Sequence, residues 1–270
     1  MSFIGKLLGA LFGYMLWGPI GAVLGVALGH QFDKGLSHTV FQSQADVERI
    51  QASFFTTLFS VMGHLAKADG RVSVHEIEMA KSVMQQMSLN EQQRAMAIEL
   101  FNKGKQADFP LDKALQQFRR ETHGQRNLIR MFMEVLLFAA YADGEVHPQE
   151  DRLLKHIAQA LGMSPYQLAQ LEGMVQAQRA FHQGRGGRHE AARPRAELLQ
   201  EAYQLLGVTS SASDAEVKKA YRRQMNQHHP DKLLAKGLPE EMVKMATEKT
   251  QEIKAAYDTI MQARQSHGEN

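Results

Sequence analysis

The residues best suited to chemistry form a run of cations followed by His229-Pro230-Asp231. Three- and four-residue spacing places the cations on one face of a predicted helix. They are Lys218, Lys219, Arg222 and Arg223. Such a face can steer a negatively charged partner. Because no nucleophile lies beside a base, and His228-His229 lacks the spacing of metal ligands on a helix, this region predicts recognition and no catalysis.

A second set of candidate residues lies in a pattern that occurs twice, A-D-G-x-V-x-x-x-E, beginning at Ala68 and at Ala142. Its oxygen ligands would suit calcium or magnesium, although no EF-hand spacing is present. These ligands would be Asp69, Glu76, Asp143 and Glu150. The alternative is structural: glycine ends one helix, valine packs inward and glutamate caps the next helix. The structural interpretation is sufficient and is preferred.

Composition narrows the possible classes of protein. The 270 residues carry a formal net charge of only +2, so nothing requires a nucleic-acid partner. The complete lack of cysteine excludes disulfides, zinc–thiolate sites and thiol catalysis. We therefore expect no cofactor. The chain is long enough for two small domains.

The elements that position these residues are all predicted to be helices, so the fold class is all-α. Apolar residues recur at helical spacing from Val47 through Ile50, Phe54 and Leu58 to Val61. Further helices are predicted to begin near Ser73, Ser88, Leu111, Gln125, Pro148 and Pro165. Together they predict a helical domain over residues 40–180.

The segment 1–34 is predicted to be a membrane anchor. Residues 7–28 carry no charge, and as a helix they span about 33 Å, enough to cross a hydrocarbon core of about 30 Å. A cleaved signal peptide and a soluble hairpin broken at Gly18-Pro19 are the alternatives. The long apolar run and its poor cleavage site favour a retained transmembrane helix.

Glycines in this segment recur every four residues, which places each set on one face of the helix. They include Gly9, Gly13, Gly21, Gly25 and Gly29. Small residues at this spacing allow two helices to approach closely in lipid, so the anchor could form a homodimer. The alternative, which the sequence favours equally, is a single transmembrane helix that tolerates these glycines without pairing. The slight excess of cations at Lys34 and Arg49 favours an orientation in which most of the chain, C-terminal to the anchor, lies in the cytoplasm and the short N-terminus lies in the periplasm.

Residues 181–198 are predicted to be a flexible basic linker. Glycine interrupts His182–His189 repeatedly and Pro194 follows, so we expect no helix there. Residues 199–270 then form a further domain, in which Ser213 and Glu216 make a capping box and proline ends the helix at His229.

Residues 199–270 closely resemble a J-domain. The match runs from YQLLGV (203–208) through KKAYRR (218–223) and HPDK (229–232) to QEIKAAYDTI (251–260). The resemblance implies a helical hairpin that binds a DnaK-type chaperone and stimulates its ATPase. Asp231, in the loop that follows the basic helix, would make the charged contact, Pro230 would fix the turn and His229 would orient it. Gln224 and His228 depart from the pattern, because J-domains usually carry apolar or aromatic residues there.

The repeated Asp-Gly turns make residues 50–175 similar to TerB-like helical domains. Anchor, TerB-like domain, linker and J-domain in this order resemble the membrane-anchored DnaJ-like co-chaperones of the bacterial inner membrane. With no Gly/Phe-rich segment and no cysteine-based zinc module, the central domain is the expected place for client selection. The alternative function is a membrane stress or metal sensor that uses the J-domain as its output.

Overall fold

The protein was analysed as a computed structural model that describes residues 41–68, 74–141, 146–186 and 195–268. Within these ranges every regular element is helical, which confirms the all-α prediction. The predicted transmembrane helix 7–28 and its glycines lie outside the described residues. Among the helices that are described, none combines the length and the apolarity needed to cross a membrane.

The helices follow one another along the chain with short connections. The central domain contains α1 (Phe41–Leu65), α2 (Val74–Gln86), α3 (Glu91–Gly104), α4 (Leu111–Glu121), α5 (Arg126–Ala140), α6 (Pro148–Ala160) and α7 (Pro165–Gly186). The second domain contains α8 (Arg195–Leu206), α9 (Asp214–His228), α10 (Pro230–Leu234), a 3₁₀ turn (Glu240–Met242) and α11 (Val243–Gly268).

The core of the central domain is built around three phenylalanine rings that belong to α1, α4 and α5. Phe54 meets Phe118 and Phe132 edge-on at centroid distances of 5.6 and 5.7 Å, and the latter two lie 4.6 Å apart. Helix α5 is buried on almost every side and contacts α2, α6 and α7. This burial explains its nearly continuous apolar sequence, because a helix surrounded by other helices needs no polar face.

Side-chain capping bonds form at the starts of several helices, including the capping box predicted at Ser213. Ser164 and Gln167 exchange hydrogen bonds at the start of α7, and Ser213 and Glu216 do the same at the start of α9. The predicted start at Ser88 is wrong. That residue has a φ of +52° and lies in the turn that ends α2, and α3 begins at Glu91.

The predicted linker is helical over part of its length, so the expectation that residues 182–189 hold no helix is wrong for 182–186. Helix α7 continues to Gly186, and α8 begins at Arg195. Extending an existing helix costs far less than nucleating one, and a single glycine costs only about 1 kcal/mol. The glycines were therefore weaker helix breakers than their number suggested.

The second domain packs α8, α9 and α11 around its own apolar core. Val217, Leu206 and Ile260 are fully buried there, and the partly buried rings of Tyr221 and Tyr257 stack 4.4 Å apart. Ala177 of α7 belongs to the same cluster. The last helix of the central domain therefore forms one wall of the second domain's core.

Two glycines allow α1 and α3 to cross at very close range. A Cβ atom on Gly63 would lie 2.0 Å from the carbonyl oxygen of Phe101, and one on Gly104 would lie 1.8 Å from that of Ser60. Because backbone atoms cannot move away as a flexible side chain would, only glycine fits at either position.

We expect Gly104→Ala to lower the free energy of unfolding by about 1–3 kcal/mol or more, since the added methyl group forces the two helices apart. The measurement is urea denaturation of the full chain in detergent, followed by circular dichroism. Gly173→Ala is the matched control, because nothing lies within 4 Å of its Cβ position on α7. The control should be neutral or slightly stabilising, and equal losses from both variants would contradict the close crossing.

Candidate functional site

The four cations of α9 all lie on its exposed side, as the spacing predicted. Lys218, Lys219, Arg222 and Arg223 are exposed, whereas Val217, Ala220 and Gln224 are buried. The helix ends at His228, and His229 leaves the helical conformation with φ −59° and ψ 123°. Proline at the next position excludes the α conformation for His229, so the helix ends where the sequence indicated.

Asp231 lies in the first turn of the short helix α10, which corrects its expected place in a loop. Pro230 suits the first position of a helix because its φ is already helical and it needs no N–H partner. Leu233 anchors this turn: its side chain is fully buried and its N–H donates to the carbonyl of His229 at 3.0 Å. The Asp231 side chain is nevertheless 88% exposed, so its carboxylate is available to a partner.

His229 and Asp231 lie close to each other without a hydrogen bond. The distance from His229 Nδ1 to Asp231 Oδ2 is 4.0 Å, which is too long for one. The arrangement therefore holds an accessible carboxylate next to an imidazole at the end of a cationic helix.

The inner side of α9 contacts the central domain through a buried ionic cluster. His228 Nε2 lies 2.9 Å from Oε1 of Glu134, which belongs to α5. Arg130 Nε lies 3.1 Å from the same oxygen, and Lys249 Nζ of α11 lies 3.8 Å from Oε2. His228, Lys249 and Glu134 are 2%, 5% and 7% exposed. One buried carboxylate thus joins the two domains.

Hydrogen bonds orient the His228 ring in this cluster. Its Nδ1 lies 3.0 Å from the carbonyl of Gln224, which can only accept, so Nδ1 carries a hydrogen and Nε2 faces Glu134. Burial alone raises the pKa of Glu134. The charges of His228 and Lys249, the hydrogen bond from His228 and the charge of Arg130 outweigh burial and hold that pKa far below its usual value. The cluster therefore joins a carboxylate to cations from both domains.

This contact explains the two departures from the J-domain pattern. His228 and Gln224 face the central domain, where Gln224 Nε2 lies 3.5 Å from the sulfur of Met174 on α7. A polar residue at each position fits because its partner is polar or polarisable, whereas an apolar side chain at position 228 would leave Glu134 without its closest hydrogen-bond partner. The same helix therefore serves two surfaces, one inside the molecule and one outside.

Neither Glu134 nor Lys249 was expected from the sequence to belong to a functional site. A usable signal existed for Glu134, which is the lone acidic residue in the apolar run MFMEVLLF of α5. A charged residue inside a helix that is buried all round indicates a buried partner. Nothing local indicates which residue that partner is, because His228 lies 94 positions further along the chain.

Of the four candidate metal ligands, the structure describes the side chain of Glu150 alone. Asp69 and Asp143 lie outside the described residues, and nothing is described of the Glu76 side chain. Glu150 is buried, and its Oε2 accepts the N–H of His147 at 2.9 Å at the start of α6. This capping bond is what the structural interpretation predicted. No group of three possible metal ligands occurs among the described residues.

Comparison with family models finds three domains in the expected order. Residues 1–39 match the co-chaperone DjlA transmembrane domain, residues 56–173 match the tellurite resistance protein TerB, and residues 201–267 match the DnaJ domain. Together with the helical hairpin and the exposed Asp231, these matches define a J-domain co-chaperone with a transmembrane domain, a class of protein that regulates another protein.

Curated relatives narrow this class to one family. The chain is 45% identical to the co-chaperone protein DjlA of Coxiella burnetii, over 98% of this chain and 99% of the relative. It is 44% identical to that of Photobacterium profundum, over 95% and 97%, and 45% identical to that of Yersinia pestis, over 96% and 98%. The chain belongs to the DjlA family of co-chaperones. No solved structure gives a significant match.

We expect Glu134→Gln to destabilise the protein by about 3–5 kcal/mol, because it leaves the cations of His228 and Lys249 buried without their carboxylate. The measurement is the urea midpoint of the full chain. The control is Asp112→Asn, which removes an exposed pair with His156 of 2.7 Å and should change stability by about 0.5 kcal/mol or less. Equal effects of the two variants would show that the buried cluster does not stabilise the docked domains.

Proposed function

We propose that the protein recruits a DnaK-type chaperone to the membrane through His229-Pro230-Asp231 and stimulates that partner's ATP hydrolysis. The observation that carries this proposal is the division of α9 into two sides. His228 and Gln224 are buried against the central domain, while the cations and Asp231 remain exposed. Docking of the J-domain therefore leaves its proposed partner surface accessible.

Each exposed group has a separate proposed role. The cations at positions 218, 219, 222 and 223 attract an acidic surface of the chaperone and raise the rate of encounter. Asp231 makes the charged contact that the chaperone reads, Pro230 sets the direction of α10, and His229 orients the carboxylate from 4.0 Å away. The protein itself performs no chemical step in this proposal.

The central domain is the proposed place for selecting clients, since the sequence contains neither a Gly/Phe-rich segment nor a cysteine with which to build a zinc module. Photo-crosslinkers on the central domain and on the J-domain would separate the two possibilities, and client adducts found only on the J-domain would overturn this assignment. The glycines from Gly9 to Gly29 keep their proposed role in pairing two anchors.

We expect Asp231→Asn to abolish stimulation of the chaperone's ATPase while the helical circular dichroism stays unchanged, because the carboxylate is exposed and supports no core contact. The assay is steady-state ATP hydrolysis by a purified DnaK-type chaperone with the full chain in nanodiscs. Asp258→Asn is the control, since it removes an exposed carboxylate from α11. Stimulation at the wild-type level by Asp231→Asn would refute the mechanism.

The proposed orientation places residues 35–270 in the cytoplasm, beside the inner membrane, because a DnaK-type partner needs the ATP held there. We expect a J-domain epitope to survive protease added to intact spheroplasts and to be cleaved after the membrane is opened. A periplasmic domain of another membrane protein is the control for protease activity. Cleavage of the epitope without lysis would reverse the topology and remove the partner from reach.

A further inference from the structure

A cleft of about 550 Å³ lies between the central domain and α9, and its charges are all of one sign. Four arginines line it, and no aspartate or glutamate does. Three come from the central domain and one from the J-domain: Arg119, Arg126, Arg130 and Arg223. A concave site lined by one sign of charge concentrates the electric field and attracts ligands of the opposite sign.

The arginines keep most of their hydrogen-bonding capacity free for a ligand. Arg126 and Arg223 form no ion pair with any residue that the structure describes. Arg119 donates to the carbonyl of Ala160 at 3.3 Å, and among the four only Arg130 faces a carboxylate, that of Glu134. Each guanidinium carries five N–H donors in a fork that matches a carboxylate or a phosphate. The cleft is therefore suited to an anion with several acceptor groups.

The backbone around the cleft leaves room for such a ligand. Gly124 and Gly162 occupy tight turns at its edge with φ values of +63° and +80°, and nothing lies within 4 Å of a Cβ on Gly124. The first turn of α5, including Arg126 and Asn127, also faces the cleft. The side chain of the N-cap residue Gln125 makes no capping hydrogen bond to that turn. The backbone N–H groups of the first turn of α5 therefore add to the positive potential of the cleft.

The remaining lining favours a peptide over a phosphate compound. Carboxamides contribute both donors and acceptors, as a peptide backbone requires. They are Asn127, Gln167, Gln170 and Gln227. Ile129, Leu161 and Leu171 add apolar surface, and no aromatic ring is present on which a nucleobase could stack. An extended segment with acidic side chains and a few apolar ones matches all of these groups.

The cleft continues the basic face of α9. Lys219 and Arg223 are one helical turn apart, and Arg223 and Gln227 on the next turn line the cleft. We infer that an acidic peptide segment of the DnaK-type chaperone binds in this cleft, so that the central domain supplies part of the surface that docks the partner. This inference rests on the proposed function, and it gives the docked arrangement of the two domains a role in recognition.

The test is the dissociation constant of a purified DnaK-type chaperone for the full chain in nanodiscs. Arg126→Gln combined with Arg119→Gln should weaken binding about tenfold and reduce its salt dependence, because charge-assisted contacts to the acidic segment are lost. Arg152→Gln removes an exposed arginine of α6 outside the cleft and should leave affinity within about twofold. Arg126→Gln alone guards against misfolding, since Arg126 has no described hydrogen bond to lose.

A second pair of variants separates this inference from the function on which it rests. Lys218→Glu with Lys219→Glu changes α9 outside the cleft. If this pair weakens binding but the Arg119 and Arg126 variants do not, the cleft proposal is overturned and the proposed function stands. If neither pair weakens binding, both are overturned. A hexaglutamate peptide should compete with the chaperone, and competition by inorganic pyrophosphate without competition by the peptide would overturn the assignment to an acidic segment.

Discussion

The carboxylate of Glu134 is the constraint on which the arrangement of this protein depends. A charge buried in the middle of an apolar helix is tolerated only when cations and hydrogen-bond donors surround it. Arg130 of the same helix supplies one, and the other two, His228 and Lys249, come from the second domain. Docking of the J-domain therefore supplies two of the three side chains that surround this carboxylate. Such a contact specifies one orientation, because an ion pair with hydrogen bonds has a direction and apolar contact has none.

This orientation determines which side of α9 remains available. Residues 224 and 228 are one turn apart and both face inward, so the cations on the other side must face solvent. The apolar contact made by Ala177 continues the same attachment, since this residue of α7 lies in the core of the J-domain. A polar contact and an apolar contact thus hold one helix between two neighbours. The cations of α9 are therefore exposed because the buried contacts of His228 and Gln224 determine how the helix is oriented.

The departures from the J-domain pattern acquire a physical reason in this arrangement. In an isolated J-domain, histidine and glutamine at positions 228 and 224 would weaken an apolar surface. Here they lie against Glu134 and Met174, and their polarity matches these neighbours. The close crossing of α1 and α3 at Gly63 and Gly104 is a comparable case, because a residue that weakens a helix locally permits a contact that packs two helices together. In both cases the residue is unfavourable for its own segment, and the contact that it makes with another helix offsets this loss of stability.

The sequence by itself determined the helical class, most helix ends and the identity of the J-domain. These features depend on neighbours a few positions away, as in the capping pair Ser213 and Glu216 or the exposed cations between Lys218 and Arg223. Local rules failed where a helix already in place continued through the glycines of α7, and where proline began the short helix that carries Asp231. Only the tertiary structure decided that Glu134 pairs with His228, and that arginines from both domains line one cleft. Contacts between residues 94 positions apart leave no periodicity in the sequence, because they depend on how the domains pack and not on the conformation of either segment.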